Sequence, residues 1–407
     1  MALARLSPFY FYKLTSSFLT QLVSFYLVYI LTPSEYGVLA LVLTLAQIMY
    51  ILTSGWTDIS LLNLGTKKYR TNKSYSDIVV YRAIIVLFSF FAISAMYFIF
   101  KKNVLEFITD KSLYNYTFLL YISLCLYSFS YQLLYPGGKN NFQSVSELII
   151  ISIYFITIIF FIRSIKSYII INFIIYVTYF CVILLAFQHY FRIKLDFFSK
   201  EGFKEMIRFS FWQLLASIGI YLTNASVNYI FSINSINLEE IGLFNFAYKL
   251  LFCFSPIFAI GNIKVPQWIY SSNHDEVIKK VPIYICLGVA ILCLAFLLIY
   301  LLSPIILDVI GKKDYLRSID YYILLFPAFL CLCINQFLNM ITLTTRYYKH
   351  GQYATFLQGF VLIIVGLLLV PHIGTIGAIF AITISFVFNT FYMIVVYNKK
   401  VKQQLCY

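Results

Sequence analysis

The sequence is poor in charge. Asp, Glu, Lys and Arg make up only 11% of its 407 residues, against about 25% in a soluble globular chain. A soluble protein of this composition would lack the polar side chains to cover its surface, so a polytopic membrane protein is the reading that remains. Long polar segments are also missing. No connection between apolar runs exceeds about twenty residues, which excludes an extramembrane domain. Histidine is scarce: His189, His274, His350 and His372 are scattered and lie near loops. Cys331 and Cys333 are too close for a zinc knuckle and have no His nearby. Seven of the eight cysteines sit in apolar runs, where a free thiol behaves as a small hydrophobe. No cleavable signal peptide is read, because the first apolar run begins near Phe9 and ends without a small-residue cleavage site.

What the chain has in abundance is apolar length. It is 61% hydrophobic and 20% aromatic. A membrane helix needs about 20 mostly apolar residues. Runs between charged or Pro/Gly breaks give twelve all-α spans: 9–31, 37–63, 79–100, 114–135, 143–162, 168–191, 208–232, 240–264, 282–302, 319–343, 353–370 and 374–397. The last two are separated only by "PHIGTIG" from Pro371, which reads as a tight helical hairpin. An even count puts both termini on one side. With that side cytoplasmic, 21 Lys and Arg fall on inner segments and 8 on outer ones, as the positive-inside rule requires. The net charge of +14 is spread over inner loops, so it signals topology and contact with anionic membrane lipids, not nucleic-acid binding.

The charged stretch "RIKLDFFSKEGFKEMIR" from Arg192 divides the spans six and six. The reading is an N-terminal lobe at 1–191, a cytoplasmic amphipathic linker at 192–207 lying on the inner membrane face, a C-terminal lobe at 208–398 and a short cytoplasmic tail at 399–407. Between the lobes the sequence echoes itself. "LTPSEYGVLALV" from Leu31 and "INLEEIGLFNFA" from Ile236 place Glu35 against Glu240 and Gly37 against Gly242 at one constant shift. The first joins spans one and two and the second joins spans seven and eight. Weak symmetry of this kind marks the internal repeats of transporters, whose substrate sites lie between the repeats.

Three stretches carry a family resemblance. "LTPSEYGVLAL" is similar to an "L-G-P-E-E-Y-G" start of span two. "EEIGLFNFAYKLL" from Glu239 is similar to "E-V-G-x-Y-x-x-A-x-K", including Lys249. "LLLVPHIGTIGAIFAITIS" from Leu367 is similar to "L-I-P-x-x-G-I-x-G-A-A-x-A-T". In this order they resemble the Wzx-type polysaccharide flippases of the multidrug/oligosaccharidyl-lipid/polysaccharide exporter superfamily. The resemblance implies two six-helix lobes with pseudo-two-fold symmetry in a bacterial inner membrane. It implies alternating access that moves an undecaprenyl-pyrophosphate-linked oligosaccharide, of O-antigen or capsule type, to the outer leaflet. A polymerase and a chain-length regulator are the implied partners. No cofactor is implied beyond a coupling proton or sodium ion, whose identity stays open. Two departures stand out: Trp212 occupies the place of a Pro early in span seven, and Asn224 and Asn228 stand where the family often has an acidic residue.

Moving a pyrophosphate and a sugar chain through hydrocarbon requires cations, hydrogen-bonding groups and a hydrated path. Ionisable residues inside spans are the default candidates. Lys13, Asp58, Arg82, Lys249 and Arg346 are the charged ones. Lys249 lies roughly 12 Å along span eight at about 1.5 Å per residue. Lys13, Arg82 and Arg346 have snorkelling to lipid heads as their alternative. Asp58 and Glu147 have neutralisation by a nearby cation. Among amides, Asn224, Asn228, Gln47, Gln132 and Asn335 either line a cavity or join helices. Two rival functions are a cation-coupled drug antiporter of the same superfamily and a membrane polymerase or glycosyltransferase. The second finds no Asp-x-Asp pair and no large outer loop here, so a transporter without enzymatic activity is the expectation.

Overall fold

A computed structural model of the chain describes residues 8–131, 133–188, 199–254, 258, 265, 274–342, 347 and 349–401. All regular structure among them is helical, as the sequence predicts. Lipid demands this, because each backbone N–H and C=O must find its partner within its own segment. In order the helices are α1 (Pro8–Ile30), α2 (Pro33–Thr53), α3 (Asp58–Asn72), α4 (Ser76–Ile99), α5 (Lys101–Ile108), α6 (Tyr114–Tyr131), α7 (Asn140–Phe161), α8 (Ile165–Phe187), α9 (Lys200–Ile233), α10 (Leu238–Leu251), α11 (His274–Val309), α12 (Arg317–Leu324), α13 (Phe326–Thr342) and α14 (Lys349–Val396).

The chain forms two compact units, Met1–Ile30 with Leu41–Ile218 and Leu31–Ala40 with Gly219–Tyr407. In the first unit α1 packs along α7 and α6 along α8. The start of α9 docks here as well. Ser199 N–H donates to the Tyr81 hydroxyl at 2.8 Å, Phe203 meets the Tyr81 ring edge-on, and the Ser60 and Ser210 hydroxyls bond. Of the expected linker, 192–198 lies outside the described residues, and 200–207 forms the first turns of α9. Along these turns Met206 and Ser210 are buried while Lys204, Glu205, Ile207, Arg208 and Phe209 are exposed, and the contacts of Ser199, Phe203 and Ser210 hold the segment against α3 and α4.

In the second unit the echoed stretches turn out to be helix starts. Thr32 and Glu35 close a capping box on α2, with the Glu35 carboxylate accepting from Thr32 N–H at 2.9 Å and from its hydroxyl at 3.0 Å. Pro33 follows at the first helical position, where its missing N–H costs nothing. Asn237 caps α10, accepting from Glu239 N–H at 3.1 Å. The two helices then meet at their glycines. A methyl group on Gly37 would strike the Leu238 carbonyl, and one on Gly242 would strike the Pro33 carbonyl. Each glycine faces the carbonyl four residues before the other, so the contact is reciprocal. Small residues allow backbones to approach this closely.

The hairpin read at "PHIGTIG" is present. Ile373 and Gly374 leave helical geometry inside α14, Gly374 with φ +57°. From there the two arms run antiparallel: Gly377 lies against Leu369, Gly366 against Ala381, Asn389 donates to Gln358, and Ala354 clusters with Met393. Six described helices are long and apolar enough to cross a membrane, with α14 counted once, and two bent pairs raise that to eight. The twelve expected spans are therefore recovered only in part. α1 and α6 hold so many Tyr, Ser and Thr that they fall short in apolarity. The run 319–343 bends by 55° at Leu325, and 240–264 is α-helical to Leu251 and tightens to a 3₁₀ turn over Phe252–Phe254, after which most of it lies outside the described residues.

The reciprocal contact predicts that Gly242→Ala destabilises the purified protein by about 1–3 kcal/mol, the usual range for overpacking a tight interface. A thermal melt in detergent reads this, and an unchanged midpoint would show that the backbones are not in contact.

Candidate functional site

The sequence predicts one span over 37–63. It is two helices. α2 ends at Thr53, Gly55–Thr57 makes a single tight turn, and α3 begins at Asp58. A side chain on Gly55 would press on the Tyr50 ring. The break also puts the Asp58 carboxylate at a helix N-terminus, where the aligned peptide dipoles favour negative charge.

Around Asp58 the first unit builds a sealed polar centre. Arg82 from α4 has no exposed surface, and every donor nitrogen is used. Nε donates to Thr57 Oγ1 at 3.0 Å, Nη1 to the Phe129 carbonyl at 3.0 Å, and Nη2 to Asp58 and to the Ser128 carbonyl at 3.1 Å. The guanidinium also lies 4.9 Å from the centre of the Phe129 ring. Ser128 donates to both carboxylate oxygens of Asp58, at 3.1 and 3.2 Å. Snorkelling is therefore not what Arg82 does here: it is an internal counter-ion. Lys13 is likewise turned inward. It pairs with Glu147, donates to the Tyr131 hydroxyl at 2.9 Å and lies over the Tyr131 ring at 4.4 Å.

Between these pairs lies a cavity of about 300 Å³, lined by Gln47, Tyr50, Ile51, Asp58, Leu124, Tyr127, Ser128, Tyr131 and Tyr176. The Tyr127 and Tyr176 rings stack at 4.6 Å. The volume and the mix of rings with a few converging polar groups are those of a small-ligand pocket. Sequence reasoning found Asp58 and Gln47 but missed the tyrosines. They were hidden among 36 of their kind; the low apolarity of α6 marks Tyr127 and Tyr131, and nothing local marks Tyr50 or Tyr176.

The other candidates lie in the second unit or outside the description. Asn228 is buried and exchanges side-chain hydrogen bonds with Asn245, at 3.2 and 2.8 Å; it joins α9 to α10. Lys249, in the last turn of α10, is exposed, and among the described residues no carboxylate pairs with it. Arg346, Gln132 and the side chain of Asn224 lie outside the described residues. Glu240, the partner of Glu35 in the echo, accepts from Arg317, Tyr321 and Thr375.

The sequence profile of the polysaccharide biosynthesis protein family matches residues 26–313, well over half of the chain. The chain belongs to this family. No curated protein sequence matches it. Among solved structures, this family member is similar in fold to the lipid II flippase MurJ in an inward closed conformation, with a TM-score of 0.68 at 15% identity over 98% of this chain and 89% of that one. It is as similar to an inward-facing multidrug resistance MATE transporter of the MOP superfamily, with a TM-score of 0.68 at 15% identity over 97% and 94%. The MATE multidrug transporter DinF-BH gives 0.67 at 12% identity over 96% and 94%. The resemblance read from the sequence and the fold agree.

Removing one member of a buried ion pair strands the other and costs about 3–5 kcal/mol, whereas replacing both with apolar groups is far milder. Arg82→Leu should therefore lower the melting temperature much more than the double variant Asp58→Leu/Arg82→Leu. Equal losses from the single and double variants would rule out the coupling.

Proposed function

We propose that this protein is a flippase for an undecaprenyl-pyrophosphate-linked oligosaccharide repeat, moving it from the inner to the outer leaflet of a bacterial inner membrane by alternating access. Membership of a polysaccharide biosynthesis family supports the glycan, and the fold shared with a lipid II flippase supports a lipid-linked one. The observation that carries the reading is Lys249. An ammonium on an apolar helix, exposed and without a carboxylate partner among the described residues, is stable only where it meets water or an anion. A pyrophosphate is such an anion. Termini on the cytoplasmic side, O-antigen or capsule as the polymer, a proton or sodium ion as the driving ion, and a polymerase with a chain-length regulator as partners complete the proposal.

A second reading, a cation-coupled small-molecule antiporter, has its support in the equal likeness to MATE transporters. Deleting the gene in a polysaccharide-producing host separates the two. The flippase reading expects loss of surface polymer, with the lipid-linked repeat accumulating on the inner leaflet. Normal polymer with lowered resistance to cationic dyes would favour the antiporter. Within the flippase, Lys249→Ala should cut surface polymer about tenfold or more, as losing a charge-assisted contact to phosphate does, and Lys249→Arg should keep most of it. Full transport by Lys249→Ala would remove the residue from the mechanism.

A further inference from the structure

We infer that the cavity of the first unit is a binding site for one neutral sugar ring. The inference rests on the flippase reading for its biological meaning but on the cavity's own chemistry for its ligand class. Three properties decide that class.

The first is charge. Asp58 is the one ionisable carboxylate on the wall, and Arg82 and Ser128 already hold it. The neighbouring Lys13 is held by Glu147. The two pairs cancel, so the wall offers no net charge to capture an organic cation or an anion. The ligand it suits is neutral.

The second is shape and surface. Tyr50, Tyr127, Tyr131 and Tyr176 present rings, and Tyr127 and Tyr176 stack into a single platform. The face of an aromatic ring is electron-rich and takes slightly positive C–H groups. A pyranose has such a C–H face. Its rim of hydroxyls needs both donors and acceptors, and Gln47, the phenols and the Asp58 carboxylate provide both.

The third is size. About 300 Å³ equals roughly ten waters at about 30 Å³ each. That holds a single sugar ring with some water, not an oligosaccharide. The site therefore reads one residue of the repeat.

Saturation-transfer NMR on the full-length protein in nanodiscs tests this. The probes are methyl glycosides of neutral hexoses and N-acetylhexosamines, with tetraphenylphosphonium as a cationic rival. At least one glycoside should receive saturation. Its signal should fall about fivefold or more in Tyr176→Ala, where the platform is lost, and persist in Tyr176→Phe, where the ring is kept. Gln47→Ala, on an exposed wall residue, should weaken the same signal and serves if Tyr176→Ala does not fold. The inference is overturned if no glycoside signal responds to these substitutions, or if tetraphenylphosphonium alone binds in a Tyr176-dependent way. Failure of the flippase reading shows elsewhere, as normal surface polymer after gene deletion. Loss of polymer on deletion together with no glycoside binding would sink only the sugar site.

Discussion

Charge buried among apolar helices must be matched, because an isolated ion in a medium of low dielectric costs several kcal/mol even after relaxation. That constraint organises the first unit. Lys13 and Glu147 tie α1 to α7. Asp58, Arg82 and Ser128 tie the start of α3 to α4 and α6. Neither pair is at the surface, and each is completed by hydroxyls or carbonyls that fill the remaining donor and acceptor positions. The geometry of the cavity follows from them. Asp58 faces it because Arg82 holds it there, and Tyr131 faces it because Lys13 holds its hydroxyl.

The sequence was legible wherever the signal was local. Apolar run lengths gave an all-helical membrane protein. Pro371, Gly374 and Gly377 announced a hairpin, because no other residues turn a helix so sharply, and Gly374 occupies a backbone conformation that suits glycine alone. What could not be read was pairing. The sequence named Lys13, Asp58, Arg82 and Glu147 as charges in apolar surroundings, yet Lys13 and Glu147 are 134 positions apart and nothing in either stretch points to the other. α1 and α6, read as spans from their apolar runs, are diluted by Tyr, Ser and Thr; in α6 Tyr127, Ser128 and Tyr131 line the cavity, and in α1 Ser16 and Ser24 are buried.

The echo between the halves has a physical meaning that spacing alone did not supply. Gly37 and Gly242 are matched in sequence and also matched in space, each lying on the carbonyl one helical turn before the other. Two helix starts that pack on each other this closely need a small residue on both sides, and glycine provides the closest approach. The paired acids differ in what they do around that contact. Glu35 caps its own helix, while the equivalent Glu240 has turned to Arg317, Tyr321 and Thr375. The contact uses both glycines alike, whereas the two carboxylates two residues before them serve different partners.

Against this background Lys249 is the exception that needs a reason. The charges around the first unit's cavity are neutralised by protein, so a ligand there is recognised by ring faces and hydrogen bonds. Among the described residues no carboxylate pairs with Lys249, and in the proposed flippase it takes the phosphates. If the substrate is a lipid-linked glycan as proposed, neutral ring-binding walls would let its sugar be discriminated by shape and hydroxyl pattern, with no charge on the wall for a phosphate to dominate. In α6 the polarity is turned inward: Thr117, Tyr121, Ser123, Ser128 and Ser130 are buried, so it is spent on the interior of the unit and not on the lipid face, where it would only cost.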